Sequence, residues 1–186
     1  MKRVFDLLLV FFMSIILLAP ILIVALIVRL TSKGPILYWS DRIGRNNSTF
    51  KMPKFRSMLI ETPVVATHLL DDPVNYLSPV GKFLRSSSLD ELPQLYCVLR
   101  GDMSFVGPRP ALYNQYDLIA LRNDKGVDKL LPGITGWAQV NGRDGLSISK
   151  KVSLDAEYLN LKSLKFDLKI LWITFVKVLK RDGVSH

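Results

Sequence analysis

The sequence predicts an α+β protein. The expected form is a helix-rich single domain with an N-terminal membrane helix-break-helix, a short β-hairpin and interfacial amphipathic helices. Three stretches carry that expectation. Residues 7 to 28, "LLLVFFMSIILLAPILIVALIV", hold no charge, and a straight helix of that length measures about 33 Å, enough to cross a bilayer core of about 30 Å. Residues 36 to 58, "ILYWSDRIGRNNSTFKMPKFRSM", read as two strand-like runs around a turn. Residues 165 to 181, "KFDLKILWITFVKVLKR", set apolar side chains at helical spacing among lysines. With 186 residues the chain has the size of one domain.

Composition narrows the chemistry. A net charge of +9 points to an anionic partner: nucleic acid, anionic lipid or a phosphate-bearing substrate. The single cysteine, Cys97, rules out an internal disulfide and a Cys-rich zinc site, and its apolar neighbours suit a core position. His68 and His186 are the only histidines and lie far apart, which leaves little material for a His-based metal cluster or a Ser-His-Asp arrangement. Acid chemistry falls to carboxylates.

The apolar run is too long for a signal peptide and no small-residue cleavage site follows it. Lys2 and Arg3 precede it, while Arg29, Lys33, Arg42 and Arg45 follow, so both ends ask for the cytoplasmic side under the positive-inside rule. Pro20 interrupts helical hydrogen bonding inside the run, and the arms on either side measure roughly 20 Å and 14 Å, each shorter than the hydrocarbon core. A re-entrant hairpin bent at Pro20 is therefore favoured over a single-pass anchor.

In the strand-like region, Gly44-Arg45-Asn46-Asn47 suits a turn, and Pro53 demotes the second run to an edge or irregular strand. Asn46 and Asn47 fit glycosylation patterns but read better as turn residues on a cytoplasmic loop. From Arg29 to Arg56 seven basic residues face one acid, Asp41. That is either an anionic-lipid footprint or an ordinary solvated surface. Residues 61 to 80 read as a loop. No repeat, no Walker lysine loop and no G-x-G-x-x-G motif is present, so phosphate recognition would fall to arginines and helix ends.

"SSSLDELPQL", residues 86 to 95, sets Asp90 and Glu91 side by side. Ser88 to Glu91 fits a capping box, in which serine and acid satisfy each other's orphan backbone donors. Pro93 argues for a helix that begins at or near the proline and stops at Gly101, with both acids just before its N-terminus. There they are either a structural cap or charged carboxylates able to act as a nucleophile or a magnesium ligand. Arg85 precedes them by five positions, and Arg109 sits in "GPRP", a restrained loop that is either structural or a phosphate contact. "LPGITGWAQVNGRDG" holds Gly133, Gly136 and Gly142 beside Arg143, and either admits a ligand close to the backbone or turns the chain. In the last helix, Leu168, Leu171, Trp172, Phe175, Val176 and Leu179 form a stripe that either lies on a membrane surface or packs on the core.

"KFRSM" (Lys54 to Met58), "SLDELPQL" (Ser88 to Leu95), "RGDMSFVGPRP" (Arg100 to Pro110) and "PGITGWAQVNGR" (Pro132 to Arg143) occur in the order found in bacterial sugar transferases. The chain resembles the monotopic phosphoglycosyl transferases of that family over nearly its whole length, and its small members in particular. The resemblance implies transfer of a sugar-1-phosphate from a UDP-sugar to undecaprenyl phosphate with release of UMP, an early membrane step of O-antigen, capsule, exopolysaccharide or glycoprotein assembly. It implies ping-pong catalysis through a covalent aspartyl-phosphosugar. Asp90 would be the nucleophile, Glu91 its catalytic partner, and both would face Mg2+. Arg85, Arg109, Lys54 and Arg143 would bind phosphate or nucleotide. The organisation implied is a re-entrant membrane hairpin over residues 1–30 and a cytosolic, interfacial catalytic domain over 31–186, at the cytoplasmic face of the bacterial inner membrane. Anionic phospholipid is a further expected partner, and homo-oligomerisation is left open. Three positions depart from the family pattern: Ala19 stands where a serine usually precedes Pro20, Leu131 where arginine is common, and Pro53 where a larger residue is usual. A nucleic-acid partner is not expected, since no aromatic-basic sheet motif or DNA-reading helix is recognisable. A catalytically silent membrane adaptor on the same fold is the other rival.

Overall fold

The computed structural model describes residues 1–63, 72–142 and 145–180, apart from the side chains of residues 73 and 179. It is an α+β arrangement. Helix α1 (Lys2–Thr31) leads into the hairpin β1 (Leu37–Ile43) and β2 (Thr49–Phe55), followed by α2 (Gly81–Ser86) and α3 (Leu95–Arg100). The short strands β3 (Ser104–Val106) and β4 (Ala111–Leu112) precede α4 (Tyr116–Asp124). Then come β5 (Gly133–Thr135), α5 (Trp137–Val140), α6 (Ile148–Leu161) and α7 (Leu164–Lys180).

The hairpin forms where expected. Asn46 and Asn47 take left-handed backbone angles (φ 54° and 58°), which asparagine tolerates well, and the Gly44 amide closes the turn on the Ser48 carbonyl at 2.7 Å. In the sheet β2-β1-β4, β2 is an edge strand, so Pro53 opposite Trp39 breaks no ladder on its outer side. The parallel pair β3 and β5 and the helix α2 lack a sequence signal of their own, being three, three and six residues long.

The segment with Pro20 is one helix rather than two separated by a break. Proline removes one hydrogen bond, a loss that a long helix packed along one side can absorb. Its buried or half-buried residues, Asp6, Val10, Met13, Leu17, Ile21, Val24 and Val28, recur every three or four positions and lie on the domain. The N-terminal half joins the hydrophobic cluster of Val98, Phe105 and Ile170, and the C-terminal half joins that of Phe55 and Leu84. Both ends are tied to the domain by polar groups. Lys2 pairs with Asp167 at 2.6 Å, Arg3 donates to the Val98 and Leu99 carbonyls, and the buried Asp6 carboxylate accepts from the Phe105 amide at 3.3 Å. At the far end Arg56 donates to the Ser32 carbonyl at 2.9 Å. The opposite face of α1 exposes Phe11, Phe12, Ile15, Ile16, Leu22 and Leu26.

Helix α7 has two apolar faces. Ile170, Phe166 and Ile173 pack inward, where Thr174 meets Thr135 across 2.7 Å. Leu164, Leu168, Trp172, Phe175 and Val178 point outward and stay exposed. Of the expected stripe, Leu168, Trp172 and Phe175 lie on the open side, Leu171 and Val176 are half-buried, and the Leu179 side chain lies outside the described residues.

The glycines of the "PGITG" segment serve the fold itself. A Cβ at Gly133 would meet the Gly107 amide nitrogen, the Gly107 carbonyl and the Thr135 carbonyl, all of them backbone. This close approach permits the bonds from Gly107 N–H to the Thr135 carbonyl and from Gly133 N–H to the Pro108 carbonyl, both 2.9 Å. Gly133→Ala is therefore expected to destabilise the protein by about 1–3 kcal/mol through forced backbone shifts. A lowered thermal midpoint in nanodiscs checks this, and an unchanged midpoint contradicts it.

Candidate active site

Asp90 and Glu91 lie inside a 3₁₀ turn, Leu89–Gln94, which α3 continues from Leu95. The expected helix start at Pro93 is displaced. In an α-helix running on from Leu89 the Pro93 ring would press on the Leu89 carbonyl, so the turn is 3₁₀ and α geometry begins two residues later. Gly101, at φ 95°, closes α3 as expected.

The capping box does not form. Ser88 precedes the turn in a left-handed conformation (φ 57°) and its side chain makes no cap hydrogen bond. The Glu91 carboxylate turns to two cations instead. Lys54 Nζ, from the end of β2, and Arg109 Nη2, from the β3–β4 loop, each donate to Glu91 Oε1 at 2.8 Å. Burial opposes ionisation of Glu91, but the charges and hydrogen bonds of Arg109 and Lys54 outweigh it and hold the carboxyl well below the usual carboxylate range.

Asp90 is in a different state. Only 7% of it is exposed, and among the described residues no group donates a hydrogen bond to its carboxylate. Burial pushes its pKa up to about 6, Lys54 pulls against that, Glu91 adds to it, and Arg85 and Arg109 pull it down more weakly. One acid of the pair is clamped in the charged form, while its neighbour is more basic than an ordinary aspartate and near enough to feel Lys54, Arg85 and Arg109.

Arg85 reaches the acids from the last turn of α2, and its Nη1 also lies 3.1 Å from the Met58 sulfur. Arg109 is held through its backbone. Arg122 Nη1 donates to the Arg109 carbonyl at 2.9 Å, and Arg42 Nη1 donates to the Pro110 carbonyl at 3.2 Å. Arg122 is itself anchored on Asp155 of α6 by two hydrogen bonds, at 2.7 and 3.0 Å, and both side chains are largely buried. Breaking such a buried pair by removing one partner costs about 3–5 kcal/mol. The structure thus brings Lys54, Arg85, Asp90, Glu91 and Arg109 together, whereas Arg143 lies outside the described residues. Pro20 belongs to α1 and makes no part of this cluster.

Sequence reasoning missed Arg42, Arg122 and Asp155. Arg42 is desolvated and repelled by Arg109, which lowers its pKa to about 10 against a smaller pull from Glu91. No local spacing marks these residues, because their partners come from distant strands and helices.

A model of the bacterial sugar transferase family matches residues 1–181. The chain belongs to that family. Among its relatives is the sugar transferase EpsL of Bacillus subtilis, 41% identical over 188 residues that cover 100% of this chain and 91% of the relative. The UDP-glucose:undecaprenyl-phosphate glucose-1-phosphate transferase of Escherichia coli K12 is 39% identical across 95% of this chain and 40% of its own length. The undecaprenyl-phosphate galactose phosphotransferase of Salmonella typhimurium is 37% identical across 98% of this chain and 41% of its own length. This sugar transferase thus spans about two fifths of the length of those two relatives.

The electrostatic contrast in the acid pair is measurable. In metal-free buffer, carbon-13 carboxyl NMR should show Asp90 titrating near pH 6. Lys54→Met should move that midpoint upward, because a cation favouring the carboxylate is lost, and Glu91→Gln should move it downward. An Asp90 midpoint near 4, or shifts of the opposite sign, would refute this description of the site.

Proposed function

We propose that this sugar transferase moves a sugar-1-phosphate from a UDP-sugar to undecaprenyl phosphate, with Asp90 as the nucleophile. The observation that carries the reading is the division of labour in the acid pair: Glu91 is committed to Lys54 and Arg109, and Asp90 is buried, basic and without a hydrogen-bond donor among the described residues. The names of the Escherichia coli and Salmonella relatives support the substrate class.

An Asp90 carboxylate oxygen attacks the phosphorus nearer the sugar, and the bond from that phosphorus to the bridging oxygen breaks. The electron pair leaves with UMP, and the sugar phosphate remains on Asp90 as an acyl phosphate. An oxygen of undecaprenyl phosphate then attacks the same phosphorus, the acyl–phosphate bond breaks, and Asp90 returns as a carboxylate with the sugar diphosphate lipid as product. Four cations, Arg42, Lys54, Arg85 and Arg109, surround two carboxylates. The positive surplus matches a diphosphate with one charge on each phosphate. Arg109, held by Arg122 at its carbonyl, is pre-positioned for that contact.

Among the described residues no group of three or more His, Cys, Asp or Glu side chains is gathered to hold a metal. The adjacent acids still fit magnesium, since Lys54 and Arg109 both bond Glu91 Oε1 and neither uses Oε2, and magnesium binds through one or two carboxylates and takes its remaining oxygens from substrate and water. Asp90 and Glu91 would hold it, and when bound it would neutralise charge on the diphosphate and the departing UMP.

Helices α1 and α7 support a membrane seat. A helix whose two ends are both tied to one domain has both ends on that domain's side of the bilayer, which supports a re-entrant or in-plane seat over a crossing. The outward stripe of α7, with Trp172 and Phe175, supports an interfacial position for the domain. Asp90 would then sit at headgroup depth, where the phosphate of undecaprenyl phosphate resides, on the cytoplasmic face of the inner membrane.

Purified protein given UDP-sugars and Mg2+ but no acceptor should release up to about one UMP per chain and carry a sugar phosphate on Asp90, detectable by mass spectrometry. Asp90→Ala should lose at least about a thousandfold in turnover with acceptor present. An adduct on another residue, no adduct at all, or equal turnover in the mutant would refute the assignment. Reporter tags at the two termini should both be accessible from the cytoplasm only, and a periplasmic N-terminus would defeat the proposed seat.

A further inference from the structure

A groove beside the acid pair has no role in the mechanism above. Its cavity of about 360 Å³ is lined almost wholly by apolar and aromatic side chains, among them Ile21, Trp39, Leu92, Pro93, Tyr96 and Leu99. Three of these stay substantially open to solvent: Trp39 at 45%, Tyr96 at 46% and Leu99 at 49%. A soluble surface rarely leaves large aromatic and aliphatic groups gathered round a hollow without an occupant. The Trp39 and Tyr96 rings stand edge-to-face at 6.3 Å, which stiffens the wall they share.

The position of the groove selects that occupant. One wall is α1, whose opposite face exposes only apolar side chains over its central turns. The other wall contains Leu92 and Pro93, which follow Asp90 and Glu91 directly in the same 3₁₀ turn. The hollow is therefore bounded by the apolar helix on one side and, on the other, by the turn that carries the carboxylates. Its apolar lining suits a hydrocarbon chain, and the cations Lys54, Arg85 and Arg109 that act on Asp90, two residues before Leu92, suit a phosphate. A phosphomonoester joined to an apolar chain has that order of parts and carries more charge than a phospholipid diester. The volume lies at the low end of the roughly 300–1,000 Å³ typical of small-ligand pockets, enough for the head-proximal units of a long chain and no more.

We infer that this groove between α1 and the Leu92–Leu99 segment binds the first isoprene units of the acceptor lipid and thereby aims its phosphate at Asp90. The inference rests on the proposed transfer to a polyprenyl phosphate and assigns the acceptor subsite within it. Leu99 and Tyr96 would be specificity-determining contacts for the acceptor chain.

Two measurements test it. In full-length protein in nanodiscs, Leu99→Asn and Tyr96→Asn should each raise KM for undecaprenyl phosphate about tenfold. In the same variants kcat/KM for the UDP-sugar, which reports the first half-reaction alone, should stay within about twofold. An unchanged acceptor KM, or an equal loss for both substrates, would overturn the assignment. A diazirine-bearing short-chain polyprenyl phosphate should also label Trp39, Tyr96 or Leu99 in the unmutated protein, with labelling suppressed by undecaprenyl phosphate and not by phosphatidylglycerol. Labelling elsewhere, or equal suppression by phosphatidylglycerol, would mean that the groove holds another chain or none. Cross-linking needs no turnover, so a protein that labels there but releases no UMP from any UDP-sugar would refute the proposed transfer while leaving the groove as a polyprenyl phosphate site.

Discussion

Two adjacent carboxylates are largely removed from water in this fold, and they can be kept there only if cations come to them. Burial of an unpaired carboxylate costs several kcal/mol or drives it to take up a proton. Here the cost is offset unevenly. Glu91 receives two direct donors and stays ionised, whereas Asp90 receives longer-range help and shifts toward neutral pH. Much of the domain can be understood as the means of delivering those cations. The hairpin brings Lys54 and Arg42, α2 brings Arg85, and the β3–β4 loop brings Arg109. Even Arg122 and Asp155, which do not touch the acids, serve this end by fixing the backbone on which Arg109 stands.

A second constraint comes from the apolar helix. Helix α1 is apolar all round, yet it uses one stripe to pack along the domain and leaves the rest exposed. Its polar end groups, Lys2, Arg3 and Asp6, are spent on Asp167, the Val98 and Leu99 carbonyls and the Phe105 amide. Tyr158 extends that anchorage by donating to Asp167 at 2.7 Å, and burial among these groups pushes its pKa far above the usual range. The membrane helix is thereby fastened to the same β3 strand that leads into the Arg109 loop. The apolar helix and the geometry at the acids thus belong to one connected piece of structure, as the proposed transfer to a lipid-borne acceptor would require.

Several features could be read from the residues alone because they depend on near neighbours. The apolar run, the asparagine turn, the edge strand with Pro53, the stop at Gly101 and the amphipathic final helix are local consequences of hydropathy period and backbone preference. The resemblance singled out Asp90, Glu91, Lys54, Arg85 and Arg109 as candidates, and the fold brings these five side chains together. Local rules were weaker where two of them competed. Ser88 to Glu91 satisfied the capping pattern, but charge pairing with Lys54 and Arg109 outweighs a backbone cap, and Pro93 lies within a 3₁₀ turn rather than opening a helix. Likewise Pro20 suggested a break, but packing along the whole of α1 keeps it helical.

The sequence by itself determined that the chain has a lipid-seeking helix, a basic surface, an acid pair and the motifs of its family, since each is a property of short stretches. Tertiary structure alone decided that the two acids differ, that Arg42, Arg122 and Asp155 support them, and that an apolar groove lies between α1 and the turn that carries them. These outcomes depend on desolvation and on contacts between residues up to 37 positions apart for Lys54 with Glu91 and 68 for Arg42 with Pro110. Neither burial nor distance is written into local order, so both became legible only once the chain was folded.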